Sequence, residues 1–94
     1  MTIEEYAVAD RDAGPHAITT GTDGIAWFTE WGTGRVGSIT ADGTIAVHNL
    51  STPGCEPHGI TLGPDGALRT ALEIGALARI APVQPPSSDI ERIS

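Results

Sequence analysis

The sequence predicts an all-β fold built from repeated four-stranded units, and three observations carry that expectation. Gly14-Pro15-His16-Ala17-Ile18-Thr19 returns as Glu56-Pro57-His58-Gly59-Ile60-Thr61 at a spacing of 42 residues. The same register sets Ile3 over Ile45, Gly21 over Gly63 and Asp23-Gly24 over Asp65-Gly66. Between these points lie short strand-like runs, separated by turns that each carry a glycine able to take positive φ at little cost. A period of about 40–45 residues of this composition is the pattern of a β-propeller blade. The 94 residues hold about two such units where closed rings have roughly four to eight. The expected architecture is therefore a partial β-propeller of about two four-stranded blades, spanning residues 1–81.

Taken in order, Ile3 to Val8 reads as a strand because Ile3, Glu5 and Ala7 alternate with Glu4, Tyr6 and Val8 before the polar turn Asp10-Arg11-Asp12. Its register with Ile45 to Leu50 makes residues 1–9 the outer strand of a preceding blade. Residues 14–50 form a complete blade. Its strands are His16 to Thr20, Ile25 to Trp31 and Arg35 to Thr40, followed by a fourth after the turn Ala41-Asp42-Gly43-Thr44. Residues 56–81 form a partial blade that follows the pattern from Pro57 to Leu68. Arg69-Thr70 then replaces Trp27-Phe28, putting a charge and a hydroxyl where the first blade has core. A weak third strand is expected over Leu77 to Ala81. Residues 82–94 begin with the Pro/Ser-rich run Pro82-Val83-Gln84-Pro85-Pro86-Ser87-Ser88, which cannot serve as an inner sheet strand.

The formal net charge is -7, from five arginines, no lysine and twelve acidic residues. That balance argues against nucleic acid and anionic membrane as partners, since both need a basic surface, and it suits metal cations or cationic ligands better. The single cysteine, Cys55, cannot close an intrachain disulfide, and no basic, apolar leader opens the sequence, so a soluble cytoplasmic protein is the default expectation. No apolar run approaches the roughly 18 residues of a membrane span.

Chemistry-bearing residues gather at one end of the second hairpin. Glu56 and Glu73 are symmetric about the turn Gly63-Pro64-Asp65-Gly66, which makes them cross-strand neighbours. Like charges placed opposite each other are unfavourable, so the pair suggests a bound cation, a shared proton or an exposed rim. His58 lies two residues from Glu56 and by strand alternation projects to the same side. Oxygen ligands suit a hard cation such as magnesium, leaving the imidazole free to act as a base near neutral pH. Glu56 stands where the first blade has Gly14 and Glu73 where it has Trp31, and departures from a repeat are candidates for function. Ordinary roles stand beside these readings. A glutamate at a strand end can be a solvated rim residue, and His16 and His58, at equivalent positions, can both be structural.

The segments Pro15-His16-Ala17-Ile18-Thr19, Trp27-Phe28-Thr29-Glu30-Trp31-Gly32, Glu56-Pro57-His58-Gly59-Ile60 and Ala71-Leu72-Glu73 together resemble the virginiamycin B lyase (streptogramin B lyase) family over roughly residues 1–81. The resemblance implies the last two blades of a seven-bladed propeller and a carbon–oxygen lyase that opens streptogramin B antibiotics by elimination. By the same resemblance Glu56 and Glu73 bind Mg2+, His58 is the proton-abstracting base, and His16 contacts the cyclic depsipeptide. Two other readings remain open: a non-catalytic repeat module that self-associates through open blade edges, and another propeller enzyme such as a lactonase-like hydrolase.

Overall fold

The computed structural model describes residues 1–81. These residues form two antiparallel sheets and no helix. The first sheet runs β1 (Pro15–Thr20), β2 (Ala26–Glu30), β3 (Arg35–Ile39) and β4 (Ile45–Asn49), each hydrogen-bonded to the next. The second runs β5 (Pro57–Leu62), β6 (Leu68–Leu72) and β7 (Ala76–Ile80). The first sheet thus has four strands, and the second has three among the described residues. The Pro/Ser-rich tail lies outside them.

The repeat is visible in individual hydrogen bonds. In the first inner turn Gly21 N–H donates to Ile25 O at 2.9 Å and Ile25 N–H to Asp23 Oδ1 at 3.0 Å. In the second, Gly63 N–H donates to Ala67 O at 2.8 Å and Ala67 N–H to Asp65 Oδ1 at 3.0 Å. Each aspartate thereby closes a local side-chain turn, and the glycine after it takes φ of 83° at Gly24 and 85° at Gly66, where a side chain would be strained. Both inner strand pairs also slip by one residue at the same place, between Pro15 and Ile18 in one blade and between Pro57 and Ile60 in the other.

The period of 42 fails after Glu73. Gly34 N–H closes the turn between β2 and β3 on Glu30 O, four residues back, whereas Gly75 N–H closes the turn between β6 and β7 on Leu72 O, three back. One residue is missing from the second turn. β7 therefore occupies Ala76–Ile80, one position earlier than the unbroken repeat predicts, and Ala78 becomes the counterpart of Gly37.

That shift brings two complementary changes into register. Phe28 pairs directly with Gly37, and a Cβ on Gly37 would run into the Phe28 ring. In the second blade Thr70 pairs with Ala78, so the smaller side chain on β6 faces a residue that has regained its methyl. Gly37→Ala should consequently cost about 1–3 kcal/mol as overpacking, read as a lowered denaturation midpoint. A wild-type midpoint would show that the Phe28 ring has room to move.

Arg69 does not become a buried charge. It lies over Gly63 as the Trp27 indole lies over Gly21, and its guanidinium reaches out to Asp65 through two bonds of 2.9 Å. Arg79, directly opposite Arg69 on β7, donates to Asp65 Oδ2 at 3.0 and 3.2 Å, so one carboxylate relieves two facing cations. Arg69, then the Ala67 N–H, then Arg79 hold the Asp65 carboxyl well below the usual carboxylate range. A lowered folded-state pKa contributes stability above the unfolded value of about 3.9 and loses it only as pH falls through the folded value. The cluster accordingly stays ionised through the neutral and mildly acidic range.

The strand expected over Ile3 to Val8 is not formed. Tyr6 and Val8 lie across a face of the first blade, in a groove of about 300 Å³ shared with Pro15, Ile18, Phe28 and Ile45. Residues 3–8 have no ladder partner among the described residues, and an extended segment becomes a strand only when its backbone is paired. Alternating sequence alone cannot distinguish that placement from an edge strand.

Candidate active site

Trp27, Phe28, Thr29 and Glu30 are consecutive buried residues on β2, and because strand side chains alternate only part of this run, Thr29 among it, faces the second blade. β1 and β5, the first strands of the two blades, come together there. His16 and His58 are the second residues of these strands. Their ring centroids lie 5.4 Å apart with the planes at 70°, an edge-to-face contact across the seam. His58 Nε2 is 2.6 Å from Glu73 Oε1, a bond that the carboxylate makes charge-assisted and that becomes an ion pair when the imidazole carries its second proton. The pair is partly open to solvent, with side chains 38% and 61% exposed.

Glu73 is anchored by its backbone. Its N–H is shared between Cys55 O and Glu56 O, both at 3.1 Å, immediately beyond the Pro57 and Leu72 pair. Glu56 and Glu73 therefore do face each other in the backbone, as turn symmetry predicts. They do so because the one-residue slip between Pro57 and Ile60 corrects a register that, continued from Leu62 and Leu68, would have missed by one.

Strand alternation does not, however, place Glu56 relative to His58. Glu56 precedes β5 and has φ of 52°, whereas alternation holds only for extended residues. The equivalent residue of the first blade, Gly14, has φ of 61°. The blade scaffold demands a left-handed residue at this corner, and the second blade meets the demand with a glutamate. Such a conformation costs a side-chain-bearing residue roughly 1–2 kcal/mol, and strain of that kind concentrates at functional positions.

Among the described residues no three His, Cys, Asp or Glu side chains converge closely enough to hold a metal ion by themselves. Two carboxylates on facing positions are still the donor set for a hard cation that keeps most of its water, as magnesium does. The donor chemistry of Glu56 and Glu73 fits such an ion.

Thr29 is a residue that motif reasoning passed over. Its hydroxyl is fully buried, donates to His58 O at 2.7 Å and accepts the Ala17 N–H at 3.2 Å. The available signal was another departure from the repeat, since Ala71 stands at the equivalent position of the second blade.

Fold and site together define a section of a β-propeller with an imidazole–carboxylate pair at the seam of two blades. The model of the Virginiamycin B lyase family matches residues 1–80, and the chain belongs to that family. Virginiamycin B lyase of Nocardia farcinica is 49% identical over 66 residues, covering 70% of this chain and 23% of its own. That of Saccharopolyspora erythraea is 59% identical over 50 residues, 53% of this chain and 17% of its own. A streptogramin B lyase structure superposes with a TM-score of 0.70 at 37% identity, over 84% of this chain and 30% of the other. A catalytically inactive histidine-to-alanine variant of the Staphylococcus aureus virginiamycin B lyase, solved with quinupristin, gives a TM-score of 0.73 at 37% identity, over 93% and 33%. The chain thus spans less than a quarter of these curated relatives and about a third of the solved chains.

Proposed function

We propose that this chain carries the proton-transfer part of a lyase that linearises streptogramin B antibiotics by elimination at the threonyl ester. The observation that supports this most directly is the 2.6 Å bond from His58 Nε2 to Glu73 Oε1, with the His16 ring beside it at the blade seam. With Nε2–H donated to Glu73, the free lone pair of His58 is on Nδ1. Nδ1 takes the α-proton of the threonyl residue, the Cα–Cβ double bond forms, the Cβ–O bond breaks, and the ring carboxylate leaves. Glu73 orients the imidazole and stabilises the imidazolium, as a carboxylate does for a catalytic histidine elsewhere. His16 contacts the depsipeptide next to the base.

Magnesium, held by Glu56 and Glu73, would supply Lewis-acid stabilisation of the charge that grows as the proton is removed. A cytoplasmic setting accords with the buried free thiol of Cys55.

Product mass separates this reading from its rivals. A propeller containing these two blades, incubated with a streptogramin B depsipeptide in ¹⁸O-water, should yield a ring-opened product of unchanged mass and no label. Incorporation of one water would indicate a lactonase-like hydrolase, and an intact ring under all metal conditions would favour a non-catalytic module.

Self-association of the isolated chain is a second reading, favoured by Leu77, Ile18 and Ile74, which are 82%, 64% and 52% exposed. Two sheets that, among the described residues, leave such side chains and their outer edges uncovered are expected to pair with further copies. Light scattering should give a mass above that of the monomer. A strict monomer with a concentration-independent melt would exclude it.

A further inference from the structure

The geometry points to Thr29 as a positioning residue that clasps the His58 strand to the His16 strand across the blade seam. This inference rests on the lyase reading only for its link to turnover. The one-residue slips at Pro15/Ile18 and Pro57/Ile60 interrupt the inner ladders beside both histidines. Groups freed from a ladder need another partner when buried. A hydroxyl can donate and accept at once, and that of Thr29 uses both capacities: it gives its proton to His58 O at 2.7 Å and receives the Ala17 N–H, next to His16, at 3.2 Å. One atom of β2 thus ties β1 to β5, the two strands whose second residues are the paired histidines.

The molecule contains its own control. In the second blade Ala71 takes the place of Thr29, and the same slip forms without a hydroxyl. The hydroxyl is therefore not needed to make the bulge. Its distinctive contact is the one to His58, which lies in the other sheet.

The test uses Thr29→Val, which keeps the branched shape and removes the hydroxyl, beside Thr29→Ser, which keeps the hydroxyl. In the Val variant the Ala17 amide should exchange about tenfold or more faster, as loss of a buried hydrogen bond implies, and the His16 to His58 ring cross-relaxation peak should weaken. The Ser variant should restore both. An unchanged ring cross-peak in a folded Val variant would overturn the inference. Should the Val variant not fold, the unsubstituted chain decides: its Thr29 hydroxyl proton should exchange slowly, and exchange at the rate of an exposed threonine would refute the clasp. In a larger propeller carrying both blades, the Val variant should lose kcat with little change in KM. If the ring geometry responds as expected but the parent propeller opens no depsipeptide, the lyase reading fails while the positioning role stands.

Discussion

Replacing His58 with alanine in a propeller that contains these blades should lower depsipeptide opening by about 10²–10⁴-fold, the range a positioned general base supplies. The effect should fall on kcat if the imidazole acts in the proposed proton transfer, and any magnesium binding at the proposed Glu56 and Glu73 site should persist because both carboxylates remain. Strand structure should also persist, since the His58 side chain is 38% exposed and, among the described residues, its only side-chain bond is to Glu73. Steady-state kinetics paired with circular dichroism provide the check. Full turnover by a folded His58→Ala protein would remove His58 from the mechanism.

Glu56→Gly should separate stability from metal binding. Glycine at φ near 52° removes a left-handed strain of roughly 1–2 kcal/mol while adding about 0.5–1 kcal/mol of unfolded-chain entropy to be lost on folding. The net result is a thermal midpoint unchanged or a few degrees higher, at about 4–8 °C per kcal/mol for a domain of this size. Magnesium affinity should fall by at least the 10–100-fold that loss of even a supporting group costs a metal site. Glu56→Gln should weaken binding too, but without the stability gain because its backbone strain is the same. Thermal melts and calorimetric titration with magnesium decide the matter. A Glu56→Gly variant that melts lower and binds magnesium normally would show that the glutamate serves the fold alone.

The blade plan was legible because hairpin turns and inner strands use the same residues 42 positions apart, down to the Asp23 and Asp65 side-chain bonds. The position of β7 was not, because a single-residue deletion inside a turn leaves no mark in a sequence whose third strand is already weak. Facing positions for Glu56 and Glu73 followed from turn symmetry, yet the backbone slip that makes the pairing true is a tertiary feature invisible to counting. The left-handed state of Glu56 was in principle readable from Gly14, since a glycine in one repeat flags the conformation its partner must share. Ile3 to Val8 went astray because alternation records which residues are apolar and not whether a backbone partner is present. Thr29 was missed because its role depends on a contact between sheets, whereas motif reading works along one strand at a time.

The contact between His16 and His58 is made by two sheets joined through their inner strands, so the proposed chemistry would need docked blades as well as folded ones. The two rings belong to different sheets, so loss of their contact would not by itself require either ladder to open. Heating or mild denaturant should then extinguish reactivity before the far-ultraviolet signal changes, an inactivation that precedes melting. On the proposed lyase reading the seam would be the fuse of the assembly, setting the temperature at which turnover stops independently of the temperature at which the strands come undone.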